Sequence, residues 1–82
     1  MNDSVTLLSG KKNKPSLVVA QKLVGGYVQL IELAPVDGDK TQMLIDEEGL
    51  LKGLPGNPEA SFIAGQPIVG PAVVLVGDAC WD

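Results

Sequence analysis

Tyr27-Val28-Gln29-Leu30-Ile31-Glu32-Leu33-Ala34-Pro35-Val36-Asp37-Gly38-Asp39-Lys40-Thr41-Gln42-Met43-Leu44-Ile45-Asp46 holds two runs of strand-forming residues, 27–33 and 41–46, around an Asp-Gly pair. β-Branched and aromatic side chains pack well on a pleated surface, and Asp-Gly tolerates the positive φ of a turn. The segment therefore predicts an antiparallel hairpin. The residues between the runs, Ala34 to Lys40, predict a somewhat long loop. Neither strand alternates cleanly: Val28 and Leu30 share a side with Glu32, and Ile31 and Leu33 share the other with Gln29. Both faces of the hairpin are expected to be partly covered.

Towards the C-terminus, Asp46-Glu47-Glu48-Gly49 reads as a tight acidic turn, and residues 50–55 as a short strand or an irregular apolar crossing. Asn57-Pro58-Glu59 has the order of a helix start, with a cap, a proline at the first position and an acid favourable to the dipole. A short helix from Pro58 to Ala64, stopped by Gly65, is predicted. After Pro71, Ala72-Val73-Val74-Leu75-Val76 is apolar on both faces, as an interior strand requires. Towards the N-terminus, Val5 to Leu8 has strand character and residues 9–14 read as a lysine-bearing loop. Pro15 fits the first turn of a helix in which Leu17, Ala20, Gln21 and Val24 share one side, with Gly25-Gly26 as the stop. The β-branched Val18 and Val19 keep a strand over 17–20 as the competing expectation. The sum is one α+β domain over residues 1–82: a small, mostly antiparallel sheet (hairpin 27–33/41–46 plus strand 71–76) with one or two short helices.

Missing residue types narrow the function. The chain has no histidine and no arginine, and all six basic residues are lysines. Serine–histidine and cysteine–histidine chemistry, most zinc sites and bidentate guanine readout need side chains that are lacking. No catalysis is expected, and no cofactor. The single Cys80 cannot pair within the chain, which favours a reducing compartment, and Asp78 and Asp82 beside it disfavour a thiolate. Met1-Asn2-Asp3-Ser4 lacks the layout of a signal peptide and no apolar run reaches the roughly 20 residues of a membrane span, so the cytoplasm is expected.

Charge is uneven. Residues 1–40 carry five lysines against four acids, and residues 41–82 carry Lys52 against six, giving +1 and −5 for a net −4. Lys11, Lys12 and Lys14 could contact phosphate, but on an acidic chain they fit a solvated loop better, and nucleic acid is disfavoured as a partner. Neither Asp37 with Asp39 nor Asp46, Glu47 and Glu48 completes a calcium-loop pattern.

Leu23-Val24-Gly25-Gly26-Tyr27-Val28, followed by Asp46-Glu47-Glu48-Gly49-x-x-Lys52-Gly53-Leu54-Pro55-x-Asn57, resembles a family of small domains of uncharacterised function encoded by bacteriophages, plasmids and some large viruses. In that family a helix ending in Gly-Gly-Tyr leads into a hairpin, and an Asn/Asp-Glu-Glu-Gly turn leads into Lys-x-Leu-x-x-Asn. The resemblance covers about Leu23 to Val76 and implies a mobile-element setting rather than a mechanism. It singles out Asp46, Glu47, Glu48, Gly49, Lys52 and Asn57 as a candidate binding surface, each with an alternative role as turn, cap or solvated charge. Leu50-Leu51 departs from the more polar step of the family.

Three functions follow, in descending order, with a non-catalytic role first and an enzyme last. The first is a non-enzymatic accessory protein, a homo-oligomer, that modulates a host protein by occupying its surface. The second is an oligomer that sequesters a small anionic, nucleotide-like ligand with lysines and backbone N–H groups. The third is a metal–carboxylate enzyme at Asp46, Glu47 and Glu48.

Overall fold

A computed structural model describes residues 5–82; Met1 to Ser4, and the expectation placed on them, lie outside it. Four strands and two α-helices follow one another as β1 (Val5–Ser9), α1 (Leu17–Val24), β2 (Val28–Val36), β3 (Asp39–Asp46), α2 (Pro58–Ala64) and β4 (Ala72–Val76), with single 3-10 turns at Lys11–Asn13 and Gly77–Ala79. The sheet order is β1-β4-β3-β2. β4 lies inside, antiparallel to β3 and parallel to β1, which explains why its residues are apolar on both faces. The predicted α+β class and the three predicted strands are present, and β1 completes the sheet.

The hairpin differs from expectation in its turn. β2 continues through Ala34, Pro35 and Val36, and only Asp37 and Gly38 connect it to β3. Both turn residues have positive φ, 51° and 82°, the requirement of a two-residue turn whose twist matches its strands. Three steps in β2, Leu33 to Val36, oppose two in β3, Thr41 to Asp39, so a bulge absorbs one residue there. Pro35 is tolerated because β2 is an outer strand, where a missing N–H need not break a ladder.

Residues 17–20 are helical. The Ser16 hydroxyl accepts from Val19 N at 3.2 Å, Gly25 closes the helix in the left-handed conformation, and Ala20 and Val24, one turn apart, are buried. Caps and packing together outweigh the low propensity of the valines. Pro15 lies before the cap rather than in the first turn. α2 is capped by Asn57 and stopped by Gly65 as its sequence predicts, and residues 50–55 are an irregular crossing rather than a strand, with turns over 50–53.

Each face of the sheet carries a core. On one, Ala20 and Val24 of α1 meet Leu44, Val73, Leu75, Ala79 and Cys80, with Leu8, Val28, Leu30 and Trp81 around them. On the other, Met43, Ala72 and Val74 meet Ala60 and Ile68, flanked by Val5, Ile31, Leu33, Ile45, Ala64 and Val76. Leu44 and Leu75 are fully buried, each contributing about 1.5–3 kcal/mol from removal of its side chain from water.

Candidate functional site

Two sequence motifs meet at the start of the hairpin. Asp46 ends β3 with its side chain only 1% exposed; its carboxylate accepts from Lys52 Nζ at 2.7 Å and from Glu48 N at 2.9 Å. Lys52 Nζ also donates to Gly25 O at 3.1 Å, and Glu47 N donates to Tyr27 O at 2.8 Å. Gly26 leaves the room this needs: a Cβ there would sit 2.5 Å from Lys52 Nζ and 3.0 Å from both Asp46 oxygens. The Lys52 hydrogen bond, then the Glu48 N–H, hold the Asp46 carboxyl below its ordinary value against the opposing effect of burial. A carboxylate so engaged serves as an anchor between two turns.

Gln21, Gly26, Tyr27, Glu48 and Lys52 line an open hollow of about 280 Å³ beside this pair, with Tyr27 65% exposed. Gly49 is buried and its N donates to Asp46 O at 3.1 Å; a Cβ on it would lie 2.8 Å from Val69 Cγ2. Glu47 is exposed. Asn57 belongs to a separate network: Oδ1 accepts from Ala60 N at 3.0 Å, capping α2, while Nδ2 donates to Gly70 O at 2.8 Å and the backbone N to Ile68 O at 2.8 Å. Of the six residues singled out by sequence, the fold thus gathers Asp46, Glu48, Gly49 and Lys52, turns Glu47 outward, and buries Asn57 elsewhere.

Lys40 crosses from the hairpin to join Lys11 and Lys14 around a cleft of about 370 Å³ that also includes Asp78 and Asp82. Lys40 Nζ donates to Trp81 O at 3.3 Å, and Lys14 approaches Asp82 at 3.9 Å. Cys80 borders the cleft but is buried, and its thiol donates to the carbonyls of Lys40 and Leu75, both at 3.3 Å. Burial pushes its pKa up, an effect larger than that of any neighbouring charge. Among the described residues, no group of three or more His, Cys, Asp and Glu side chains is placed to hold a metal ion.

The surface that sequence reading missed is apolar. α2 contributes only the small Ala60 and Ala64 to its core, and beside it runs a groove of about 430 Å³ lined by Leu7, Leu33, Val36, Ile63, Val74 and Val76. Leu7, Val36 and Ile63 are 66%, 54% and 41% exposed, and among the described residues no charged side chain lines the groove. Local patterning could not find it, because Leu7, Val36 and Ile63 come from three separate elements.

A small α+β domain with most of its motif residues turned to structural use and one sheet face half covered is what the geometry defines. The chain belongs to the family described as a domain of unknown function, DUF3846, which matches residues 5–80, from the first residue of β1 to the last core residue. No curated protein and no solved structure matches the chain.

Proposed function

We propose that the chain is a non-enzymatic binding module, encoded by a phage or other mobile element, that modulates a host protein in the bacterial cytoplasm by occupying its surface. The observation that carries this is the uncharged groove between α2 and the hairpin, where Leu7, Val36 and Ile63 remain exposed. Monomers rarely leave contiguous apolar surface of this kind without a use. The partner chemistry that fits is a segment with two or three aliphatic or aromatic side chains flanked by lysines or arginines, since the groove is neutral and the chain around it carries a net −4.

The test uses the tagged protein as bait in bacterial lysate, with Ile63→Glu and Val36→Glu as groove variants and Lys12→Glu as a remote control. A host protein retained by wild type and Lys12→Glu but lost from both groove variants supports the proposal. Equal capture by all four, or no specific capture, overturns it.

The gathering of Lys40 with Lys11 and Lys14 favours a second function, retention of a small anionic ligand. Asp78 and Asp82 in the same cleft oppose it, which places it second. A nucleotide at 100 times its Kd would stabilise the protein by about 2.7 kcal/mol, which thermal unfolding with and without added nucleotides would detect.

A further inference from the structure

The two outer strands of the sheet are built differently. β2 is guarded: Pro35 lacks an N–H, the bulge between Leu33 and Val36 bends the strand, and Glu32 is an exposed charge. β1 has none of these devices. Val5-Thr6-Leu7-Leu8-Ser9 contains no proline and no charge, and pairs without irregularity from Val5 against Ala72 to Ser9 against Val76. Its other side has no strand partner among the described residues. Strand edges left in this condition are templates for another strand.

We infer that β1 is a self-association edge, at which a second copy of this chain pairs its own β1 antiparallel and extends the sheet across a two-fold axis. The sequence of β1 suits itself. In the register of full overlap Leu7 opposes Leu7 of the second copy and Val5 opposes Ser9, so two aliphatic residues meet at the centre and no like charges are opposed. Two net-acidic copies approach along a strip that carries no charge. A two-fold relating antiparallel neighbours runs perpendicular to the sheet and keeps each face on its own side. Leu7, 66% exposed in one chain, is therefore covered by its counterpart, and the two apolar grooves become neighbours on one continuous face. The dimer stands on the edge alone and does not depend on host binding; its effect on that function is to present two grooves together.

The decisive measurement is native mass spectrometry with light scattering over a wide concentration range, comparing wild type with Leu7→Lys. Leu7 is exposed, so the lysine is tolerated in one chain, whereas in the pair it sets two like-charged side chains directly opposite, on Cβ atoms about 5 Å apart. The expected result is twice the chain mass of 8.5 kDa for wild type and a folded monomer for Leu7→Lys. A wild-type monomer throughout, or a Leu7→Lys protein that remains dimeric, overturns the inference. A second variant guards against misfolding: Leu7→Cys in a Cys80→Ser background should form a covalent dimer on mild oxidation far faster than Val36→Cys in the same background. Equal rates also overturn it. An Ile63→Glu protein that is dimeric but captures no host protein would show that self-association and host binding are separable, whereas a monomeric wild type that still captures a host protein would overturn the dimer and leave the groove proposal standing.

Discussion

Gln42 holds the backbone of Trp81 from both sides. From the middle of β3 its Nε2 donates to Trp81 O at 2.8 Å, and its Oε1 accepts from Trp81 N at 2.7 Å, the pairing a neighbouring strand would otherwise supply. Glu32 Oε2 takes the second Nε2 proton at 3.1 Å, and the Trp81 indole donates to Pro15 O at 2.9 Å. One buried amide thus fastens the C-terminal segment to the sheet, while the indole fastens it to the entry of α1.

Gln42→Leu keeps the volume but leaves Trp81 N without its partner and Trp81 O with only the longer bond from Lys40 Nζ, and is expected to cost about 1–3 kcal/mol. Urea unfolding followed by the fluorescence of Trp81, the only tryptophan, measures the loss. Gln42→Glu should be worse, because a carboxylate cannot donate to Trp81 O and faces Glu32.

The Asp46–Lys52 pair sets the acid limb of stability. The Asp46 pKa is depressed in the folded state, so its contribution is fully present above the unfolded value near 3.8 and is lost as pH falls through the lower folded value. Asp46→Asn should lower the urea midpoint at neutral pH and flatten its fall below 3.8. Gly26→Ala, whose methyl displaces the lysine, should reproduce both effects, and the double variant should add little to either. Strict additivity would show that Gly26 acts elsewhere.

Asn57→Ala removes the α2 cap and strands Gly70 O, and about 2–3 kcal/mol is expected to be lost. Asn57→Ser restores only the cap and should fall between the two in chemical denaturation. Asn57→Asp keeps the cap but sets an anion against Gly70 O, so it should not rescue.

Cys80 should resist thiol reagents in the folded protein and react at the rate of global unfolding, which labelling across a urea series would show. Its raised folded pKa also means that stability declines as pH passes the ordinary thiol value of 9.0, where the unfolded thiol ionises first, and Cys80→Ala should remove that decline.

Local signals in the sequence carried the elements well where they were strong. Asn57-Pro58-Glu59 and Gly65 bracket α2, Gly25 ends α1, and the doubly apolar 72–76 run became the inner strand. Where a residue's role depends on its place in the sheet, sequence was less informative. Pro35 and its neighbours read as loop because only the outer position of β2 lets the strand continue through them. Asp46 looked like one acid among three in a turn, and only the approach of Gly26 and Lys52 from separate segments makes it an internal anchor. Trp81, a lone tryptophan near the end of the sequence, carries no local signal that says whether it packs inward or outward. Gln42, an unremarked polar residue within a strand, decides for the core.

The parallel pairing of β1 with β4 has a consequence for assembly on the ribosome. The hairpin of β2 and β3 can form as soon as its own residues emerge, yet β3 then waits with Thr41 to Ile45 unpaired on one side, and β1 waits with no neighbour at all, until Ala72 to Val76 is delivered. The latest of these four strands to be made completes both pairings at once. During that interval two adhesive edges are open together, so nascent chains crowded on one message would be most prone to cross-pairing just before β4 leaves the exit tunnel.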